Sequence, residues 1–482
     1  VINWIALAKL LGALLMVYGL VLLVPAAFSW LDRDQHTDIF LACSLGCLAT
    51  GGLVYLLLRK RGQELNARTG FALVTFAWVF SSLVGALPYL LSATLPSVVD
   101  AVFESMSGFT GTGASVISDV ESVDRGILLW RSLTQWLGSM GIIVFFVALL
   151  PALGFSGVQL FKAEVAGPQK DRLTPRVKET AQKLWVIYLV FTVVCGLALY
   201  QAGMPWFDAL NHALTTIATG GFSTKNSGIA AFDSAAIDYC LSIGMLLGSI
   251  SFGLHYRVVV LRDPKALTDT ELRWFGALLI LAVSVTFSAL VGNRLFGPEE
   301  ALRHSVFQVV SIATSTGFSH QDFTLWPPLT QLMLVLLMVM GGMSGSTSGG
   351  IKCIRLVAAF KQLSRQLIQV VHPKAVIPVK ANQHVIPEPI IDAIWGLLFM
   401  YFLVFSITAG VLTTQGLDLV TASTASFSAL SNIGPGLGAV GPAANYAALT
   451  DISKLTLTLC MLLGRLEFFT VLVLFTPAFW RK

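Results

Sequence analysis

Four short glycine-centred phrases hold the residues whose types and spacing point to chemistry. They read Thr112-Gly113-Ala114-Ser115, Gly220-Gly221-Phe222-Ser223, Thr316-Gly317-Phe318-Ser319 and Ile433-Gly434-Pro435-Gly436. The central glycines recur at a period of roughly 100 residues. Glycine takes backbone angles closed to other residues and lets a chain approach an ion closely. Rings of backbone carbonyls replace the hydration shell of a monovalent cation. An enzyme is the least supported class, because no nucleophile–base pair or metal cluster is placed. Cys43, Cys47, Cys195, Cys240, Cys353 and Cys460 are scattered, which suits packing rather than a disulfide framework. The stretch Gly345 to Lys352 has Ile351 where a phosphate-binding loop needs lysine. Like Gly434 to Gly438, it follows no strand, so neither is a nucleotide site.

The elements that must position these phrases are membrane helices. Of 482 residues, 55% are hydrophobic and 12% charged, against about 25% charged in soluble domains. Ten apolar stretches approach the roughly 20 residues that cross a bilayer: near 3–29, 39–58, 71–95, 127–150, 183–203, 235–257, 272–295, 327–371 (interrupted), 392–414 and 452–480. The first is expected to be a retained span rather than a cleaved signal. From residue 69 the same order recurs four times: a span, a segment too short to cross, the glycine phrase, a polar loop and a second span. The short segments, 99–110, 206–218, 300–313 and 417–430, are expected to be re-entrant half-helices. Asp100, Asp208, Glu299, Glu300 and Asp418 lie near their starts, where a helix dipole favours acids. Irregular backbone at membrane depth is tolerated only inside protein or along a watery cavity.

The expected class is therefore an all-α integral membrane protein with four pseudo-symmetric repeats around one central pore. Residues 1–68 form an extra helical pair. The repeats are 69–160, 161–262, 263–380 (with an interruption at 341–350) and 381–482. Basic residues concentrate in segments 59–68, 157–185, 255–273 and 352–380. The positive-inside rule then puts those loops and both termini in the cytoplasm. The alternate segments carry Asp119, Glu121, Asp233, Asp322 and other acids, which is expected to make the outer vestibule cation-attracting.

The phrases around Gly113, Gly221, Gly317 and Gly434, with Asn432-Ile433-Gly434-Pro435, Gly342 to Lys352 and Gly464-Arg465-Leu466-Glu467, resemble the superfamily of potassium transporters that includes Trk, Ktr and HKT. The extra N-terminal pair resembles the Trk type. The resemblance implies potassium uptake across the inner membrane of a bacterium, by channel-like passive permeation. It implies a filter of Thr110, Gly111, Thr112 and Gly113; Thr219, Gly220 and Gly221; Ser315, Thr316 and Gly317; and Asn432, Ile433 and Gly434. Pro435 and the doubled glycines depart from a strict channel filter, so fewer well-formed ion sites and looser discrimination are expected. Gly113 occupies the position tied to preferring potassium over sodium, and serine there is expected to relax that choice more than it reduces transport.

Two gates are expected. Gly341, Gly342, Ser344, Gly345, Gly349 and Gly350 lie in a ten-residue stretch with five glycines and three serines, a composition no helix favours. It is expected to be an intramembrane loop that blocks the pore and swings aside; the plainer alternative is a static kink. Arg465 lies midway along the last span, where a charge costs about 2.5–3.5 kcal/mol on insertion scales. It is either an electrostatic barrier in the pore or a cap on loop carbonyls.

The resemblance further implies a homodimer with one pore per protomer and a TrkA-like cytoplasmic ring that binds nucleotides. This chain itself is expected to bind no cofactor, only potassium as permeant ion, besides membrane lipid, and no nucleic acid. Segment 352–380 and the loops at 162–183 and 257–273 are candidate docking surfaces for the ring, with Lys361 and Arg365 as charges to reverse. The rivals are a sodium- or proton-coupled symporter and a non-conducting receptor.

Overall fold

The structure is a computed structural model that describes residues 2–59, 67–144, 177–382 and 384–481. Lys60 and Arg61, the end of the 127–150 stretch, and the loop basics Lys162, Lys170, Arg172 and Arg176 lie outside the described residues. Among the described residues the regular structure is helical save a two-stranded hairpin, Lys380–Ala381 against His384–Val385.

Trp4–Asp32 and Thr37–Leu58 form the N-terminal pair. Small residues let their backbones touch. A Cβ at Gly51 would lie 2.6 Å from the Gly12 carbonyl, and Ser44 donates to the Gly19 carbonyl at 2.6 Å. Such contacts replace the hydrophobic drive that lipid abolishes between helices. The pair is fixed to the rest by Tyr18, whose hydroxyl meets that of Ser81 at 2.5 Å.

Among the described residues, six helices are long and apolar enough to cross a membrane: the pair, Arg68–Leu91, Ala181–Gln201, Thr270–Gly292 and Glu388–Thr414. Two further spans expected to be continuous are bent. Ala235–Ser249 turns by 96° into Phe252–Val260, and Asp451–Arg465 turns by 107° into Phe469–Phe475. The helix Pro328–Met340 stops at Gly341, and Cys353–Val371 starts after the interruption.

The four half-helices are Val98–Thr110, Trp206–Ile217, Pro298–Ala313 and Leu419–Ser431. At 12 to 16 residues and 1.5 Å per residue they reach about 18–24 Å, short of the roughly 30 Å hydrocarbon core. Their starts are chemically marked. Ser97 caps the first, Pro298 with Glu299 and Glu300 opens the third, and Asp418 accepts from the backbone of Val420 and Thr421. The Thr421 hydroxyl and amide hold the Asp418 carboxyl below its usual range.

The face expected to be outermost departs from the expectation of a plain acidic vestibule. Glu104 is buried against Arg131, Asp100 pairs with Lys454 at 2.6 Å, and Asp208 accepts from Thr224 at 2.6 Å. Those acids are neutralised or inward. Asp119, Glu121 and Asp233 remain exposed.

Candidate permeation site

Each half-helix ends in the same backbone motif. Gly111, Thr219, Ser315 and Asn432 take left-handed angles, with φ of 68°, 51°, 56° and 53°. The next amides, of Thr112, Gly220, Thr316 and Ile433, reach back to the carbonyls of Ser107, Thr215, Ser311 and Ser428 at 2.8–3.0 Å. This is the Schellman termination. It turns the chain sharply at membrane depth without leaving those carbonyls unpaired. Three of these four positions are not glycine, so sequence alone could not mark them as left-handed.

The following glycines close a ring. A Cβ on Gly113 would lie 2.2 Å from the Gly220 carbonyl oxygen. On Gly221 it would lie 2.0 Å from that of Thr316, on Gly317 1.6 Å from that of Ile433, and on Gly434 2.8 Å from that of Thr112. Loop one thus leans on two, two on three, three on four, and four on one. All four glycines have positive φ, 80° to 104°, a region L-residues avoid. Every candidate filter residue named above except Thr110 sits in these three-residue turns; Thr110 is the last residue of its half-helix, its hydroxyl 2.8 Å from that of Thr112.

Side chains hold the ring from behind, and Gln135, Tyr446, Ser428, Glu104 and Arg131 among them were not singled out by the sequence. Gln135 donates to the Gly220 carbonyl at 2.6 Å and accepts from the Phe222 amide at 3.2 Å. Tyr446 and Ser428 both donate to the Gly434 carbonyl, at 2.6 and 2.7 Å. Asn432 donates to Thr112 Oγ1 at 3.0 Å. Behind the first two loops, Glu104 accepts from Arg131, Ser115 and the Val116 amide at 2.8–3.0 Å, while Arg131 reaches the Ser223 carbonyl at 3.2 Å and stacks over Phe222. Breaking such a buried pair by removing one charge costs about 3–5 kcal/mol. Arg131→Met is therefore expected to lower thermal stability sharply, and Glu104→Gln with Arg131→Met to recover part of it, as read by thermal melting in detergent. Equal stability of Arg131→Met and wild type would remove the pair from the ring's support.

The spans that follow supply a second close approach. A Cβ at Gly138, Gly248 or Gly464 would lie 1.9, 2.8 or 2.0 Å from the carbonyl of Phe109, Ile217 or Leu430, in the last turn of the half-helix before it. The sequence does not set these glycines apart from neighbours such as Gly126, Gly141 and Gly244, since isolated glycines in apolar helices are common.

The glycine-rich interruption is packed against the inner ends of the half-helices. Thr347 donates to the Ile217 and Gly248 carbonyls at 3.0 and 2.9 Å, and the Gly349 amide donates to Ser315 Oγ at 2.6 Å. A Cβ on Gly349 would lie 2.2 Å from the Ser431 carbonyl. Gly341, Gly342 and Ser344 are buried, and Gly345 and Gly350 turn with φ of 73° and 75°. Arg465, 5% exposed, donates to the Thr347 carbonyl at 2.8 Å and to Ser139 at 3.2 Å, and Ser139 in turn donates to the Ala218 carbonyl at 2.7 Å. Both readings of Arg465 meet here: it caps a loop carbonyl, and that carbonyl belongs to the interruption. Glu467 is turned away at the bend and pairs with Arg355 at 2.7 Å.

Lys361 and Arg365 are less available than their charges suggest. Lys361 donates to the Lys380 carbonyl at 2.7 Å and Arg365 forms a two-pronged pair with Glu388. Reversing either charge would break these contacts before it reported on docking.

The comparisons with known proteins identify the family and the fold. The family described as TrkH, cation transport protein, matches residues 36–482. The chain is 43% identical over 480 residues to the Trk system potassium uptake protein TrkH of Halomonas elongata, covering 98% of both. It is 39% identical to the protein of the same name from Escherichia coli K12, covering 99% of both. The crystal structure of the potassium transporter TrkH from Vibrio parahaemolyticus superposes with a TM-score of 0.92 at 37% identity, over 100% of both chains. This is a multi-pass membrane transporter rather than an enzyme, and the chain belongs to the TrkH cation transport protein family.

Proposed function

We propose that this chain takes up potassium across the inner membrane of a bacterium through a passive, gated path for monovalent cations. The observation that carries this reading is the closed ring of four glycine turns at four half-helix C-termini. Each terminus adds a partial negative charge, and each turn brings backbone oxygens to one axis. The substrate comes from the relatives, which are named as potassium uptake proteins. The potassium filter is built of Gly111 to Gly113, Thr219 to Gly221, Ser315 to Gly317 and Asn432 to Gly434. Its quarters are unequal. The Gly434 carbonyl is taken by two hydroxyls and that of Gly220 by Gln135, which leaves fewer oxygens for the ion and supports weaker discrimination among large monovalents.

Loop 341–350 blocks the inner side of the filter in this conformation, with Arg465 pinning it. The four repeats, cytoplasmic termini, a homodimer and a cytoplasmic regulatory ring complete the reading. The experiment is rubidium-tracer flux into liposomes holding the purified protein. Flux should be competed by potassium more than by sodium, with a reversal potential set by the potassium gradient alone. A reversal potential that follows sodium or protons would make the protein a symporter, and no flux in either the wild type or Arg465→Ala would make it a non-conducting receptor.

A further inference from the structure

The interruption is held at its neck by one carboxylate from another element. Glu271, 6% exposed, is the second residue of Thr270–Gly292. Its Oε1 accepts from the Ser344 amide at 2.8 Å and from the Ile354 amide at 3.0 Å. The first amide belongs to the loop and the second to the first turn of the helix that follows it. Between them, the Cys353 amide donates to the Gly342 carbonyl at 3.1 Å, closing the neck. Helix Cys353–Val371 has no side-chain cap of its own, because Lys352 stands at its N-cap. Glu271 supplies that cap in trans, and a carboxylate at a helix N-terminus is favoured by both hydrogen bonding and dipole.

Behind Glu271 a short polar chain leads to the 380–385 hairpin. Asp269 accepts from the amides of Glu271 and Leu272 at 2.8 and 3.3 Å, and from Asn382 Nδ2 at 2.5 Å. Asn382 accepts from the Thr270 amide at 2.6 Å and donates its own amide to Thr270 Oγ1 at 3.1 Å. Asn382 sits in the turn of the Lys380–Val385 hairpin with φ of 47°. Val379, Ala381 and Ile386 of the hairpin pack on Ile354, Ala358 and Ala359. The hairpin therefore touches both partners of the latch: the helix that carries Glu271 and the helix that leaves the loop.

We propose that Glu271 latches loop 341–352 to the start of helix Cys353–Val371, and that Asn382 braces that latch through Asp269 and Thr270. This rests on the reading of the loop as a gate. Glu271 is a positioning residue, since it touches the loop and not the ion.

The test uses the full chain in liposomes without partner, read by rubidium flux. Glu271→Ala removes two charge-assisted bonds and is expected to raise basal flux about tenfold. Glu271→Gln keeps an oxygen in place and should stay within about twofold of wild type. Glu271→Asp keeps the charge but falls short of both amides, and should give an intermediate rise even where the alanine variant does not purify. Asn382→Ala should raise flux in the same direction and add nothing on top of Glu271→Ala. Unchanged or reduced flux in monodisperse Glu271→Ala and Glu271→Asp, alongside raised flux in Arg465→Ala, overturns the latch alone. Additive effects of Asn382→Ala and Glu271→Ala overturn the brace. Flat flux in the Glu271 and Arg465 variants together overturns the gate and the latch with it.

Discussion

Alanine at Gly317 is expected to abolish rubidium uptake while the protein still inserts and purifies. The new Cβ would lie 1.6 Å from the Ile433 carbonyl oxygen and 2.8 Å from its carbon. Both are backbone, so no side chain can swing aside. The left-handed angle alone costs an L-residue roughly 1–2 kcal/mol, but the overlap decides the outcome, because the third and fourth loops must part to relieve it. The same geometry orders the other three. Gly221→Ala, with 2.0 Å, should be nearly as severe; Gly113→Ala, with 2.2 Å, somewhat less; and Gly434→Ala, with 2.8 Å, the mildest. Tracer flux at matched protein amounts checks the order. A tolerated Gly317→Ala beside an inactive Gly434→Ala would dismantle the ring as the path of the ion. This geometry also changes what serine at Gly113 should do. Its Cβ meets the Gly220 carbonyl, which Gln135 holds from behind, so selectivity and rate should fall together rather than selectivity first.

Arg465→Ala is expected to raise flux through the isolated protein by roughly tenfold, on the loss of charge-assisted hydrogen bonds worth about 1.5–3 kcal/mol each. The guanidinium donates to the Thr347 carbonyl and to Ser139. Its removal unpins the middle of the loop and withdraws a positive charge from beside Gly111, whose added Cβ would lie 4.0 Å from the guanidinium. Loosening the loop and removing the barrier act in the same direction. Arg465→Lys keeps the charge without the fork and should fall between the two. Unchanged flux, or loss of flux with normal expression, would make Arg465 a structural cap only.

The half-helices were legible because three local signals coincide: insufficient length, an acid or proline at the start, and a glycine at the end. The bends in the second spans were not. Residues 235–257 and 452–480 read as unbroken apolar runs without proline apart from Pro477 near the end. The turn at 466–468 depends on Glu467 and Phe468 adopting φ of 57° and 56°, which no local preference of those residues announces. The close contacts of Gly248 and Gly464 with the half-helices are tertiary facts that pull the chain out of line. The outer basics escaped for a different reason. Arg131 and Lys454 sit inside apolar runs, and summing charge by segment hid that each cancels a particular acid. Glu271 was invisible as a functional residue, since an acid in the first turn of a helix is what the dipole favours anyway.

The contact of the last turn with the first has a consequence for how the protein is made. Asn432 and Thr112 are bonded across 320 residues of chain, which a ribosome adding about 5–20 residues per second needs on the order of half a minute to produce. During that interval the nascent chain goes from one quarter of its ring to three, with an open seam toward lipid, where unpaired backbone is costly. The ring therefore cannot close gradually. It comes into being when the final hundred residues arrive and shut the seam, and a chain released early carries no path to leak through.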